Sequence, residues 1–410
     1  MFAIINRSAI AIFASSIGRD KQLQLTMAEN LMAGNGLSLV KYFTNDLYTP
    51  VYDSSQVFPP GYSLIIIPFL KVFRDNFLAC TVLDVFSAIA FVLLVRVLCK
   101  KIKFAVSIVN LITIITGCSQ AIFFLEAAPT DVISLNFILA SFIVAINTIN
   151  NSNHTSLLKI AGYGLLFIMP SFFRYMYIPF SPLLPLLIYF WGHHTKRTSL
   201  KKIGLQLIVV VFIFQAVMII WLKSQSPVFI VQTEKGIFPE ELLHWYPFFV
   251  ASFINIDFIA QRIEQVADIS YTNAVNILKL FNLVLIPIFI AVIRNILSKR
   301  KLNFFFLAGG VLSITILLTL IFLTLTNKAQ KVGFSPWNYT QEGRYFAFLN
   351  IFLVFFFFYY LTVSAWQKRL PTRMLAIFIF ILLGIETTHG IYFNMKLPFQ
   401  YKKMREIVID

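Results

Sequence analysis

Runs of unbroken apolar sequence, each about 20 residues long, constrain this chain more than any other feature, because about 20 helical residues span the hydrocarbon core of a bilayer. Such runs fall at 77–99, 104–125, 132–150, 202–222, 276–297, 303–325, 345–366 and 373–392, with shorter ones at 1–17, 157–173 and 176–192. Only 13% of the residues are charged, 45 are Phe, and the mean hydropathy is +0.79. A soluble domain of that composition would expose large apolar patches. The expected fold is an all-α polytopic membrane protein with about 11 transmembrane helices, since helices satisfy their own backbone groups in lipid.

Basic residues sort the loops into two sets. Lys and Arg are retained on the cytoplasmic side, whereas Asp and Glu count for little. The loops at 100–103, 150–159, 193–202, 298–301 and 367–373 hold 14 basic residues and no acid. The alternate segments at 18–76, 126–131, 223–275, 326–344 and 395–410 hold 15 basic and 16 acidic residues. The first set is therefore expected in the cytoplasm, and Asp20 outside. The net charge of +16 follows mostly from topology, so nucleic-acid binding is a poor reading. Cys80, Cys99 and Cys118 all fall in apolar runs, where a thiol acts as a small hydrophobe. The first run is short and holds Arg7, so either residue 1 is expected to lie inside a longer helix or the arginine to snorkel to the cytoplasmic face, and no small-residue cleavage site precedes Asp20.

Two outside loops are long, 18–76 and 223–275. In the first, Leu25, Met27, Ala28, Leu31 and Met32 recur at helical spacing before Gly34, which predicts a helix ending there. The segment from Gly61 to Phe73 is apolar but too short to span. If it did span, every later loop would invert, so it is expected to be a juxtamembrane or re-entrant helix. The second long loop, rich in aromatic and acidic residues around Pro turns, predicts a pair of short interfacial helices. One transmembrane domain covering 1–410, with no separate soluble domain, is the expected organisation.

Ionisable groups in or beside a membrane are costly, so each is a site candidate. At the outer ends of spans stand Asp20, Glu126, Asp131, Arg174, Glu342 and Arg344; within spans stand Asp84, Glu386 and His389. A carboxylate can take a proton from a hydroxyl, and arginines can hold a phosphate bidentately. Plainer readings stand beside these. Asp131 follows Pro129 and Thr130 and fits a helix cap; Arg174 and Arg344, flanked by aromatics, fit interfacial anchors; Asp84 fits a buried hydrogen-bonded partner. His193 and His194 lack a third metal ligand nearby.

In order, the chain presents Asp20 leading into "MAENLMAGNGLSL", then "FPPGYSLIIIPFLKVFRDNFLA", "APTDV" at 128–132, "PSFFRYMYIPFSPLLPLL" at 170–187 and "EGRYFAFLNIFLVF" from 342. This set, in order from about 18 to 192, weak from 200 to 330 and resumed at 342, resembles the C-type (GT-C) membrane glycosyltransferases, in particular the group with the protein O-mannosyltransferases and the lipid A aminoarabinose transferase. The resemblance implies a GT-C fold and an inverting enzyme. It would take a sugar from a polyprenyl-phosphate carrier on the outer, periplasmic face and give it to a glycan, lipid or protein hydroxyl.

By position, the resemblance implies that Asp20 and Asp131 are the catalytic acids, with Mg or Mn a possible cation between them. Arg174 and Arg344 would hold the carrier phosphate, and Glu126, Tyr62, Tyr345 and Glu342 would line the substrate pocket. The Phe-rich late spans could line a groove for the lipid tail. Many relatives carry two acids where this chain has Asp20 and Lys21, and others carry soluble domains that are not expected here. The bacterial inner membrane is the expected location. A transporter or flippase of polyprenyl-linked sugars, and an O-antigen polymerase or ligase, are the alternatives.

Overall fold

The computed structural model describes residues 1–13, 19–43, 50–54, 59–119, 129–151, 156–225, 247–298, 303–326, 330–332, 335–337, 343–363 and 370–409. The described chain is dominated by helices: α1 (Phe2–Phe13), α2 (Arg19–Met32), α3 (Gly61–Phe73), α4 (Asn76–Lys101), α5 (Val106–Cys118), α6 (Pro129–Asn150), α7 (Leu157–Phe173), α8 (Phe180–His194), α9 (Thr198–Gln225), α10 (Phe248–Ala251), α11 (Ile256–Ala267), α12 (Tyr271–Ser298), α13 (Phe304–Thr326), α14 (Ala347–Val363) and α15 (Leu370–Ile409). Five of the described helices are long and apolar enough to cross a membrane: Asn76–Lys101, Thr130–Asn150, Thr198–Trp221, Phe304–Leu325 and Ala376–Phe393. The chain is an all-α type of membrane protein.

Two short antiparallel ribbons depart from a purely helical reading: β1 (Ser38–Phe43) with β2 (Pro50–Ser54), and β3 (Gln330–Val332) with β4 (Ser335–Trp337). Both lie between apolar runs, where backbone groups without a helix pair with each other. The first lies between α2 and α3 in the chain. The predicted helix before Gly34 is present as α2, followed by Gly34 at φ +86°, a left-handed conformation that glycine adopts cheaply. The short apolar segment from Gly61 is α3, closed by Arg74, whose N–H donates to the Leu70 carbonyl at 2.9 Å. Of the second long loop, α10 and α11 are described, the latter capped by Asn255, whose side chain accepts from the Phe258 N–H at 3.0 Å.

The chain divides into two compact units. The amino-terminal unit takes Ile10–Leu94 and Leu125–Thr233; the carboxy-terminal unit takes Met1–Ala9, Val95–Phe124 and Glu234–Asp410. In the amino-terminal unit α6, α7, α8 and α9 pack in sequence, each on the next. On α9, Leu200, Ile203, Leu207, Val211 and Met218 are buried, while Leu205, Val209, Phe212, Ile213, Val217 and Ile220 are exposed. Both sets recur at helical spacing, so one apolar face meets protein and the other is suited to lipid. Glycines set the close approaches: Gly61 has no room for a Cβ, which would stand 2.5 Å from the Phe172 carbonyl oxygen.

The carboxy-terminal unit packs α14 against α13, α12, α10 and α5. Residues 347–360 of α14 are buried without a break, Phe352, Phe355 and Phe356 included. Phe305 and Phe306 of α13 meet these rings, with centroids 5.7 Å apart for Phe305 and Phe355. A helix apolar on every side belongs in a core, so the Phe run of α14 packs protein.

Candidate functional site

The site is built where one end of the α6–α7 pair meets α2 and α3, all within the amino-terminal unit. The packing of α6 on α7 sets the first turn of α6 beside the end of α7, where Asp131 meets Arg174 and Ser134 meets Pro170. Pro129 opens α6, since a helix start has no use for the N–H that proline lacks. Asp131 sits in that first turn, where a carboxylate also complements the positive end of the helix dipole. Helix α7 ends at Phe173. Arg174 turns extended (φ −148°, ψ 117°), its N–H still bonded to the Pro170 carbonyl at 3.0 Å, and a 3-10 turn, Tyr175–Tyr177, follows.

Asp131 and Arg174 meet there. The Arg174 Nη2 donates to Asp131 Oδ2 at 2.6 Å, and its Nε faces Oδ1 at 2.5 Å. Both residues are buried, Asp131 at 5% exposure and Arg174 at 9%. An arginine anchored only by the membrane surface would keep its head in water; this one is turned onto a carboxylate. The contact runs on below the pair. Ser134 Oγ donates to the Pro170 carbonyl at 3.4 Å, and the Phe137 and Phe173 rings stack at 5.4 Å.

Helices α2 and α3 close over this end. Leu25 and Ala28 of α2, Tyr62, Ile66 and Leu70 of α3, Ala79, Cys80 and Leu83 of α4, Ile133 of α6 and Phe173 of α7 form one buried cluster. Ser63 Oγ donates to the Gln24 carbonyl at 2.9 Å, tying α3 to α2. Tyr62 is fully buried and donates to Cys80 Sγ at 3.3 Å. Burial, and next the Asp84 carboxylate, push its phenol well above the ordinary tyrosine value. It is a neutral donor in the packing. Burial likewise pushes the Tyr175 phenol up to about 12.

Lys21 is a buried charge in α2. Its Nζ donates to Asp84 Oδ2 at 2.8 Å, both side chains being sealed from solvent. Asp84 is thus held as a counter-ion. Sequence reading missed Lys21, although an acid inside the apolar run at 77–99 was itself the signal that a cation must reach it.

Of the other candidates, Asp20 stands in the first turn of α2, one residue before Lys21. Arg344 and Tyr345 stand in the 3-10 turn Gly343–Phe346 of the carboxy-terminal unit, with Tyr345 buried. Glu126 and Glu342 lie outside the described residues. Among the described residues no three His, Cys, Asp or Glu side chains gather as metal ligands. Asp131 also has a guanidinium beside it, a neighbour that opposes a second cation.

A second set of buried charges lies in the carboxy-terminal unit. Arg7 donates to the Thr116 and Ser119 carbonyls at 2.7 and 2.6 Å, at the end of α5. Glu386 of α15 accepts from Ser119 Oγ at 3.0 Å and from the Asn255 N–H at 2.8 Å, where α11 begins. Arg7 does not snorkel; it caps carbonyls. His389, one turn further on, stacks on Phe258 at 3.8 Å, and the Arg262 guanidinium lies 5.4 Å from the centroid of that same ring.

Compared with known proteins, the chain matches no protein-family model, no curated protein and no solved structure.

Proposed function

We propose that this protein is an inverting glycosyltransferase that takes a sugar from a polyprenyl-phosphate carrier and gives it to an acceptor hydroxyl at the outer, periplasmic face of the membrane. The observation that carries this reading is the buried Asp131–Arg174 pair at the meeting of α6 and α7, beside the cluster that joins α2 and α3 to Ile133 of α6 and Phe173 of α7. A phosphate leaving group needs a guanidinium whose position is already fixed, because a donor that must reorganise during reaction lowers the barrier less. Asp131 provides that fixing.

In this reading Asp20, at the start of α2, accepts the proton of the acceptor hydroxyl. The acceptor oxygen forms a bond to the anomeric carbon as the bond from that carbon to the phosphate oxygen breaks. The electron pair leaves on polyprenyl phosphate, where Arg174 meets the developing charge, and the sugar inverts. Asp131 acts through Arg174, as a positioning residue.

A transporter of polyprenyl-linked sugars is the second reading, favoured by the buried charges Arg7 and Glu386. Their partners are helix ends within one unit, which suits a brace better than a substrate path. The deciding experiment measures sugar transfer from radiolabelled polyprenyl-phosphate sugars in detergent, with wild type beside Asp20→Asn. Transfer lost in a variant that still binds the carrier supports the enzyme. Carrier binding with neither hydrolysis nor transfer, equal in both proteins, moves the transporter ahead.

A further inference from the structure

Tyr177 is the residue of this region that neither the fold nor the proposed chemistry has used. It is 1% exposed, one of the largest sealed side chains in the protein. Its hydroxyl has no hydrogen-bond partner among the described residues. Burying a hydroxyl without an acceptor is costly, and such groups concentrate where a ligand or catalytic role explains them. A phenylalanine would fill the same volume at no such cost, so packing does not account for the oxygen.

Its place in the chain sets Tyr177 close to a particular neighbour. Tyr177 closes the 3-10 turn that Arg174 opens, with its N–H on the Arg174 carbonyl at 3.0 Å. Both the Arg174 guanidinium and the Asp131 carboxylate lie within electrostatic reach of the Tyr177 hydroxyl. A guanidinium and a phenol set side by side are two donors of one kind. The ligand that satisfies both is an oxyanion with several acceptor oxygens, and a phosphate ester is such a group.

We propose that Tyr177 is the second donor of a phosphate-binding site whose first donor is Arg174. The phosphate presents one oxygen to the guanidinium, beside or in place of Asp131, and a second oxygen to the Tyr177 hydroxyl. This deepens the glycosyltransferase reading and rests on it for the source of the phosphate: the head group of the lipid carrier. Tyr177 contributes through binding, and through the leaving group if the carrier reacts. It takes no proton.

The test is Tyr177→Phe, assayed in nanodiscs for binding of undecaprenyl phosphate and, separately, of inorganic phosphate, with Ser181→Ala as control. Ser181 also carries a sealed, unpartnered hydroxyl, four residues on, so it reports the general effect of removing one. The expected result is a Tyr177→Phe protein at least as heat-stable as wild type that binds undecaprenyl phosphate about ten-fold or more weakly, with Ser181→Ala unchanged. Equal affinity in Tyr177→Phe and wild type overturns the assignment and leaves the carrier reading standing. Equal weakening in both variants overturns it too. Wild-type binding of inorganic phosphate but not of the lipid, lost in Tyr177→Phe, supports the site and sinks the carrier as its ligand. Wild type binding neither overturns both.

Discussion

Lys21 and Asp84 form a sealed ion pair across 63 residues of sequence, with Nζ 2.8 Å from Oδ2 and neither side chain reaching solvent. Breaking it by removing one partner leaves a buried charge alone. Lys21→Met is therefore expected to cost about 3–5 kcal/mol, whereas Lys21→Met with Asp84→Leu costs far less, since a buried pair and an apolar pair are nearly equal in stability. Thermal unfolding of wild type and the two variants in one detergent measures this. Equal destabilisation by the single and double changes would refute it.

At Arg174 the shape of the charge matters as much as its sign. Asp131 meets the Nη2 and Nε edge of the guanidinium, which lysine does not possess. Arg174→Lys is expected to keep the fold but lower kcat/KM for the carrier by about 10- to 100-fold, since charge without the fork loses directed hydrogen bonds. Arg174→Gln, which strands Asp131, should also unfold earlier. A fully active Arg174→Lys protein would show that the fork is not used.

Glu386 joins α15 to the start of α11 through the Asn255 N–H and to the end of α5 through Ser119. Glu386→Ala removes both acceptors and is expected to cost about 1–3 kcal/mol, while Glu386→Gln, keeping one carbonyl oxygen, costs less. Hydrogen exchange across Ile256–Ala267 is the local readout. Protection unchanged in Glu386→Ala would mean that α11 is held by its apolar face alone.

Tyr271 ties the first residue of α12 to α11, its hydroxyl donating to Asp257 Oδ1 at 2.6 Å. Burial first, and then that hydrogen bond, push its phenol above the ordinary value near 10. The neutral form is the one the fold holds. Its contribution is thus complete below the unfolded value and is lost as pH rises through the folded one. Hydrogen exchange of α11 should accelerate between about pH 10 and 11 more in wild type than in Tyr271→Phe. Parallel curves for the two proteins would remove Tyr271 from that role.

Much of the fold is legible in the sequence because apolar run length and loop charge are local properties. The helix before Gly34, the short helix from Gly61 to Phe73 and the five long apolar helices all follow from residues adjacent in the chain. Asp131 and Arg174 were visible as polar groups at the ends of apolar runs. Their pairing was not, because it depends on α6 and α7 packing antiparallel with their polar ends level. Lys21, beside Asp20 in a charged stretch, reads as solvated until α2 folds onto α4.

The sequence by itself determined that this is a helical membrane protein, where its five long apolar helices lie, and which few ionisable residues a membrane would make expensive. Those follow from transfer of side chains and backbone between water and lipid, which each segment settles alone. Tertiary structure decided which of those charges neutralise one another: Lys21 with Asp84, Arg174 with Asp131, and Glu386 with the ends of α5 and α11. A buried charge is stable only where packing brings its partner to within about 3 Å, and that distance is set by helices far apart in the chain.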